Sequence, residues 1–152
     1  MKRKLAYFVM IVAGTFLLSC KKDSVRNIST ISYGTSFGMC VDYCLRDINV
    51  SSNKVTYTKA KNGANPDLKT CSNHLDEAEF IAIKELLEDA KFNNLPERIG
   101  CPDCADGGAE WIEIKGNEKS RKVVFEYNNA PDELKAAVVK LRALAAGFSN
   151  CN

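Results

Sequence analysis

Cysteine restricts the folding of this chain more than any other residue in it. Six of the seven, Cys40, Cys44, Cys71, Cys101, Cys104 and Cys151, fall where the regular hydrophobic patterning lies, and Cys20 stands apart near the N-terminus. Whether the six cross-link depends on the redox state of their compartment, and the first twenty residues carry that information. Lys2-Arg3-Lys4 precede an apolar run over residues 5–18, broken only by Gly14 and Thr15, which is the charged-then-apolar order of a secretion signal. The run is shorter than the roughly 20 apolar residues that cross a bilayer, and it ends abruptly before Lys21-Lys22-Asp23.

The quartet Leu17-Leu18-Ser19-Cys20 closes that run and resembles the lipobox of bacterial lipoproteins. The resemblance implies that residues 1–19 are removed and that Cys20, as the first mature residue, carries diacylglycerol on its sulfur with further acylation such as palmitate. Acyl chains contribute about 0.8 kcal/mol per buried methylene, so two or three of them anchor a domain without spanning the membrane. An uncleaved membrane helix and a freely soluble secreted protein are the alternatives. Lys21 after Cys20, in place of aspartate, favours the outer over the inner membrane under the sorting rule of enteric bacteria. The expected location is therefore the extracytoplasmic face of the cell envelope, with the membrane as the first partner.

Loss of residues 1–19 removes three of the 21 basic residues and none of the 19 acidic ones, so 18 face 19 and the formal charge falls from +2 to −1. Nucleic-acid binding needs a basic surplus on one face, which this composition does not offer beyond Lys21-Lys22. The remaining length suits one domain with a single core. Six cysteines in an oxidising compartment read as disulfides, with 15 connectivities open to them.

Residues 20–29 are polar and aperiodic and read as a lipidated cysteine with a flexible tether; residues 30–152 form the domain. A first strand is expected at 30–33. Residues 41–48 alternate with Val41, Tyr43 and Leu45 on one face, Ser51-Ser52-Asn53-Lys54 turns, and residues 55–58 return. Residues 61–70, with Asn62-Gly63 and Asn65-Pro66-Asp67, read as a loop. Asp76 and Glu79 have capping-box spacing ahead of a helix whose stripe is Phe80, Ile83, Leu87 and Ala90, with Leu86 beside it. A turn-rich stretch then carries Cys101-Pro102-Asp103-Cys104. A second hairpin is expected at 111–114 and 123–127, and Pro131 opens a second helix with Leu134, Val138, Leu141 and Leu144/Ala145 at helical spacing before Gly147. This order predicts an α+β domain: an antiparallel sheet of four to five strands in two hairpins, with both helices on one face.

Phe37-Gly38-Met39-Cys40-Val41-Asp42-Tyr43, Leu95-Pro96 and Ala130-Pro131-Asp132-Glu133-Leu134, in that order around two hairpins and a helix, resemble a family of uncharacterised bacterial envelope lipoprotein domains, a domain of unknown function. The likeness runs from about Thr30 to Phe148. Family members have a cysteine four residues before the position of Cys40 and a proline after it, where this chain has Ser36 and Val41. The resemblance implies a similar fold and an envelope location, and it brings no catalytic residues.

Cys101-Pro102-Asp103-Cys104 is the motif that could carry redox chemistry, because a C-x-x-C pair exchanges electrons when its first thiol is acidified. Here the motif follows a helix and precedes a strand, without a helix N-terminus to stabilise a thiolate, and Asp103 and Asp106 oppose one. A structural disulfide is the favoured reading. Cys40, Cys44, Cys101 and Cys104 also have the paired spacing of a Cys₄ zinc site, which an oxidising compartment disfavours, so no metal or cofactor is expected. If Cys40 and Cys44 share an extended strand they lie about 13 Å apart, beyond the roughly 7 Å a disulfide allows, and each should seek a distant partner. His74 reads as a solvated loop residue, and Asp76, Glu77, Glu79, Glu85, Glu88 and Asp89 as capping and a solvated face. The expected role is a non-enzymatic binding or scaffolding domain with an envelope protein as possible partner. Trp111, Tyr43, Tyr57 and Tyr127 are candidates for an aromatic surface on the uncovered sheet face. The alternative is a thiol-disulfide oxidoreductase using Cys101 and Cys104.

Overall fold

The computed structural model describes residues 27–63, 66–117 and 119–151; the signal segment and Cys20 lie outside the described residues. The elements are β1 (Thr30–Ser36), β2 (Tyr43–Ser51), β3 (Lys54–Lys61), β4 (Leu68–His74), α1 (Glu77–Asp89), β5 (Arg98–Ile99), β6 (Ala109–Lys115), β7 (Ser120–Glu126) and α2 (Lys135–Ala146). Packing begins slightly before β1: Ile28 is buried and the Ser29 amide donates to the Lys115 carbonyl.

The strands form one sheet in the order β4-β3-β2-β1-β6-β7-β5. Neighbours run antiparallel except β5, which lies parallel to β7. The α+β class agrees with the sequence pattern, but the sheet is mixed and has seven strands rather than four or five. The two additional strands explain the difference. β4 takes in the last three residues of the span expected to be a loop and runs on to His74, and its Leu-Lys-Thr-Cys-Ser-Asn-His is mostly exposed, as an edge strand with little core to cover can be. Of these residues Cys71 packs against the core, too little for a hydrophobic period to appear. β5 has two residues, below the length at which alternation is visible.

One face of the sheet is apolar and the other polar, because strand residues alternate. Ile31 lies opposite Val50 and Ile114, and Tyr33 opposite Ile48 and Ile112; Val55, Tyr57, Val123 and Phe125 extend the same face outward. All ten are buried. Phe80, Ile83 and Leu87 of α1, Val138 and Leu141 of α2, and Leu134 just before α2 close over them, with Leu86, Ala90, Leu144 and Ala145 at the margin. Both expected helical stripes are therefore the packed ones. Asp76 does occupy the N-cap of α1, but its carboxylate caps nothing and instead lies 3.6 Å from the His74 imidazole; the Glu79 amide donates to the Asp76 backbone carbonyl.

The open face is not bare. Trp111 lies across Gly34, where any Cβ would run into the indole, and Lys122 Nζ sits 4.2 Å above the ring. Asn49 donates to the Ser32 hydroxyl at 3.0 Å. Asp47, on the same face, has its carboxyl pushed above the usual range by burial, with Lys115 and Lys122 pulling the other way. A raised folded-state value means that ionised Asp47 costs stability, and the cost disappears as pH falls and the group is protonated in both states. Asp47→Asn should therefore be more stable than the natural chain at pH 7, with the advantage shrinking as the pH falls toward about 4 and essentially gone below it, read from urea titrations.

The six cysteines pair as Cys40–Cys44, Cys71–Cys151 and Cys101–Cys104. The first pair corrects the expectation of distant partners. β2 starts at Tyr43 rather than at residue 41, because Asp42 takes the left-handed conformation (φ 81°) and turns the chain. The Cα atoms of Cys40 and Cys44 come within 5.7 Å. A bulge between Tyr43 and Leu45 then shifts the register against β3, and Val41 points into solvent. Cys71–Cys151 closes a separation of 80 residues, against 4 and 3 for the others. On chain-entropy grounds, replacing Cys71 and Cys151 by serine should lower the unfolding free energy by about 4 kcal/mol, and the same change at Cys40 and Cys44 by about 2 kcal/mol, read from urea denaturation.

Candidate functional site

A cleft of about 300 Å³ lies over the apolar face of the sheet beside the C-terminal half of α2. The helix supplies Arg142, Ala145 and Ala146 there, and the two alanines leave space that a larger side chain would fill. The sheet supplies Tyr33 and Thr35 from β1, Arg46 and Ile48 from β2, Tyr57 from β3 and Glu110 from β6. Phe37 and Tyr127 form a side wall, their rings edge to face at 4.8 Å, with Asn128 beside them. Tyr57 stacks on Phe148 just beyond α2, 5.4 Å between centroids.

Glu110 is the chemical centre of this floor. It is fully buried and in the same phase of β6 as Ile112 and Ile114, so strand alternation sends its carboxylate under α2. Arg142 meets it: Nη2 donates to both carboxylate oxygens at 2.7 Å, and Nε to Oε1 at 3.1 Å. The Tyr33 hydroxyl donates to Oε1 at 2.8 Å and receives the Arg142 Nε–H at 3.1 Å. The charges cancel and the shared oxygens bind three elements into one network. Burial, reinforced by the hydrogen bond to Glu110, pushes the Tyr33 phenol well above its ordinary value. The hydrogen bond to Glu110 likewise holds Arg142 in its charged form. Tyr33 is thus a fixed donor and Arg142 a fixed cation.

None of these three residues stands out as a site in the sequence. The signal was present: Glu110 shares the period of Ile112 and Ile114, and Arg142 lies four residues after the buried Val138, so each is a charged residue on a core-facing period. What was missing was the knowledge that the two periods meet.

The expected sites lie elsewhere. Cys101 and Cys104 are both exposed and bonded to each other in the loop between β5 and β6, where a three-residue 3₁₀ turn (Cys104–Asp106) follows. Asp103, Ala105 and Asp106 have φ values of 65°, 50° and 58°. The Cys101 amide donates to the Glu126 carboxylate at 2.8 Å. Asn129, then that amide, hold the Glu126 carboxyl below its usual range. The four cysteines of the conceivable zinc set are committed to two local disulfides. These two loops are neighbours and both brace the cleft wall: Phe37 leads into the Cys40 turn, and its ring packs over Gly108, which ends the Cys101–Cys104 loop with φ 78°. The Tyr127 amide donates to the Gly108 carbonyl.

The aromatic quartet does not assemble on the open face. Trp111 is there but buried, Tyr57 faces the helices, and Tyr127 stands at the cleft wall. Tyr43 lies under Lys59 and donates to Asp67 at 3.0 Å. His74 is exposed, as expected of a loop-flanking residue, though it closes a strand.

No protein-family model and no curated protein matches the chain.

The Glu110–Arg142 pair gives a direct test of the floor. Arg142→Met leaves a carboxylate with no exposure and no counter-charge, which should cost about 3–5 kcal/mol. Glu110→Gln leaves a guanidinium that is 38% exposed and can turn to water, so its loss in urea denaturation should be the smaller of the two.

Proposed function

We propose that this chain is a lipid-anchored, non-enzymatic domain of the cell envelope that binds its partner in the cleft beside α2. The anchor rests on the sequence, on the secretion-type segment ending in Leu17-Leu18-Ser19-Cys20, with the lipid carried by Cys20 and the outer membrane favoured by Lys21. Three cysteine pairs accord with a compartment in which disulfides persist. The likeness of residues 37–43 to envelope lipoprotein domains of unknown function points the same way.

The cleft is the observation that carries binding. It combines an aromatic wall, a polar floor and room for a small ligand or for a side chain of an envelope protein, the usual composition of a recognition site. Its buried carboxylate is engaged: Glu110 takes donors from Arg142 and Tyr33, so it does not stand ready as a general base. The floor is suited to holding and orienting rather than to moving protons.

Exposure of both Cys101 and Cys104 favours a second reading, thiol-disulfide exchange with an envelope thiol. Its surroundings oppose it, since Asp103, Asp106 and the Glu126 carboxylate disfavour a thiolate at the motif.

Intact mass with non-reducing peptide mapping, on protein purified from its native envelope, tests both readings on one sample. The expected result is a diacylglycerol adduct on Cys20 with Cys101 and Cys104 bonded only to each other. Absence of the adduct removes the anchor. A substantial free or mixed-disulfide fraction at Cys101 or Cys104 would put the exchange reading first.

A further inference from the structure

The charges around the cleft do not balance, and the surplus is positive. Glu110 answers Arg142 one for one. Arg46, exposed at the rim on β2, makes no ion pair among the described residues. Asp47 also lines the cleft, but alternation puts its carboxylate on the opposite face, where its charged neighbours are Lys115, Lys122 and Glu113. It therefore does not offset Arg46.

Arg142 adds direction to that surplus. Its bonds to Glu110 and Tyr33 use Nε and Nη2 and leave Nη1 outside the network. Although held by a fully buried carboxylate, the side chain keeps 38% of its surface exposed and lines the cleft. A guanidinium locked along one edge and open along the other is a pre-oriented donor for an anion, because little side-chain freedom remains to be lost on binding. The two arginines and the Phe37–Tyr127 pair line the same space of about 300 Å³, together with Ile48, Ala145 and Ala146.

We propose that the cleft binds a small organic carboxylate with an apolar or aromatic body, the carboxylate facing Arg46 and the open edge of Arg142 and the body lying against Phe37 and Tyr127. The inference rests on the reading of the cleft as a binding site and adds the chemical class of its ligand. A free small acid and the C-terminal residue of a peptide share this chemistry, and the probes separate them.

The test is calorimetric titration of the mature protein in detergent micelles with N-acetyl-L-phenylalanine, with its neutral amide, and with a ten-residue peptide ending in phenylalanine as the free acid or the amide. The free amino acid derivative should bind at least tenfold more tightly than its amide at pH 7. Arg46→Gln should erase most of that ratio, and Ala146→Trp should abolish binding of both. Ala146 is exposed, so the tryptophan fills the cleft and not the core, and circular dichroism verifies the fold. Tighter binding of the acid-ended peptide than of the small acid would assign the carboxylate to a chain terminus. Equal binding of acid and amide, both lost in Ala146→Trp, would overturn the carboxylate inference and leave the cleft reading standing. Binding of the acids that survives Ala146→Trp would place them outside the cleft and overturn the inference, as would no binding of either acid.

Discussion

The central strand β1 is the element on which the rest of the molecule depends. It bonds β2 along one edge and β6 along the other, and among the described residues the sheet order makes it the lateral link between the β2-β3-β4 half and the β6-β7-β5 half. Each half is a hairpin with one further strand, too small to bury its apolar face alone. Joined through β1, the halves present one continuous face, and Ile31 and Tyr33 lie at the seam between Ile48 and Val50 on one side and Ile112 and Ile114 on the other. Gly34 belongs to the same constraint from the opposite face: the Trp111 indole crosses the seam at the one position without a Cβ.

The cleft is a consequence of that seam. Tyr33 and Glu110 are 77 residues apart in the chain and come into hydrogen-bonding distance only because β1 and β6 are neighbours. Arg142 arrives from α2, the last helix. Taking a carboxylate and a guanidinium out of water costs much of what their attraction returns, so such a pair adds little net stability compared with apolar packing. Its effect is arrangement: α2 is held at a set position over the sheet, and the small residues Ala145 and Ala146 then leave a cavity where a larger stripe would have closed the core.

The disulfides act on two scales. Cys71–Cys151 ties the polar edge strand β4 to the segment beyond α2, whose Phe148 and Cys151 belong to the core. Cys40–Cys44 and Cys101–Cys104 each close a few residues and contribute less to the global equilibrium than the long bridge does. Their value is local: they stiffen the two turns whose meeting point, Phe37 against Gly108, supports the cleft wall.

Much of this was legible in the chain because it depends on near neighbours. The stripes Phe80–Ile83–Leu87 and Leu134–Val138–Leu141, the two hairpins and the α+β order follow from periods of 3.6 and 2, which one segment displays without reference to any other. β4 and β5 left no such trace, since an edge strand packs few side chains and a two-residue strand has no period. The Cys40–Cys44 pairing escaped because one left-handed residue, Asp42, turned an apparent strand into a loop. The sequence by itself determined the class of the fold, the apolar face of each helix, and the presence of six cysteines able to bridge. The tertiary structure alone decided which cysteines meet, which strands are neighbours, and that Glu110, Arg142 and Tyr33 share one buried site, because each of these is a relation between segments whose separate patterns carry no record of their partners.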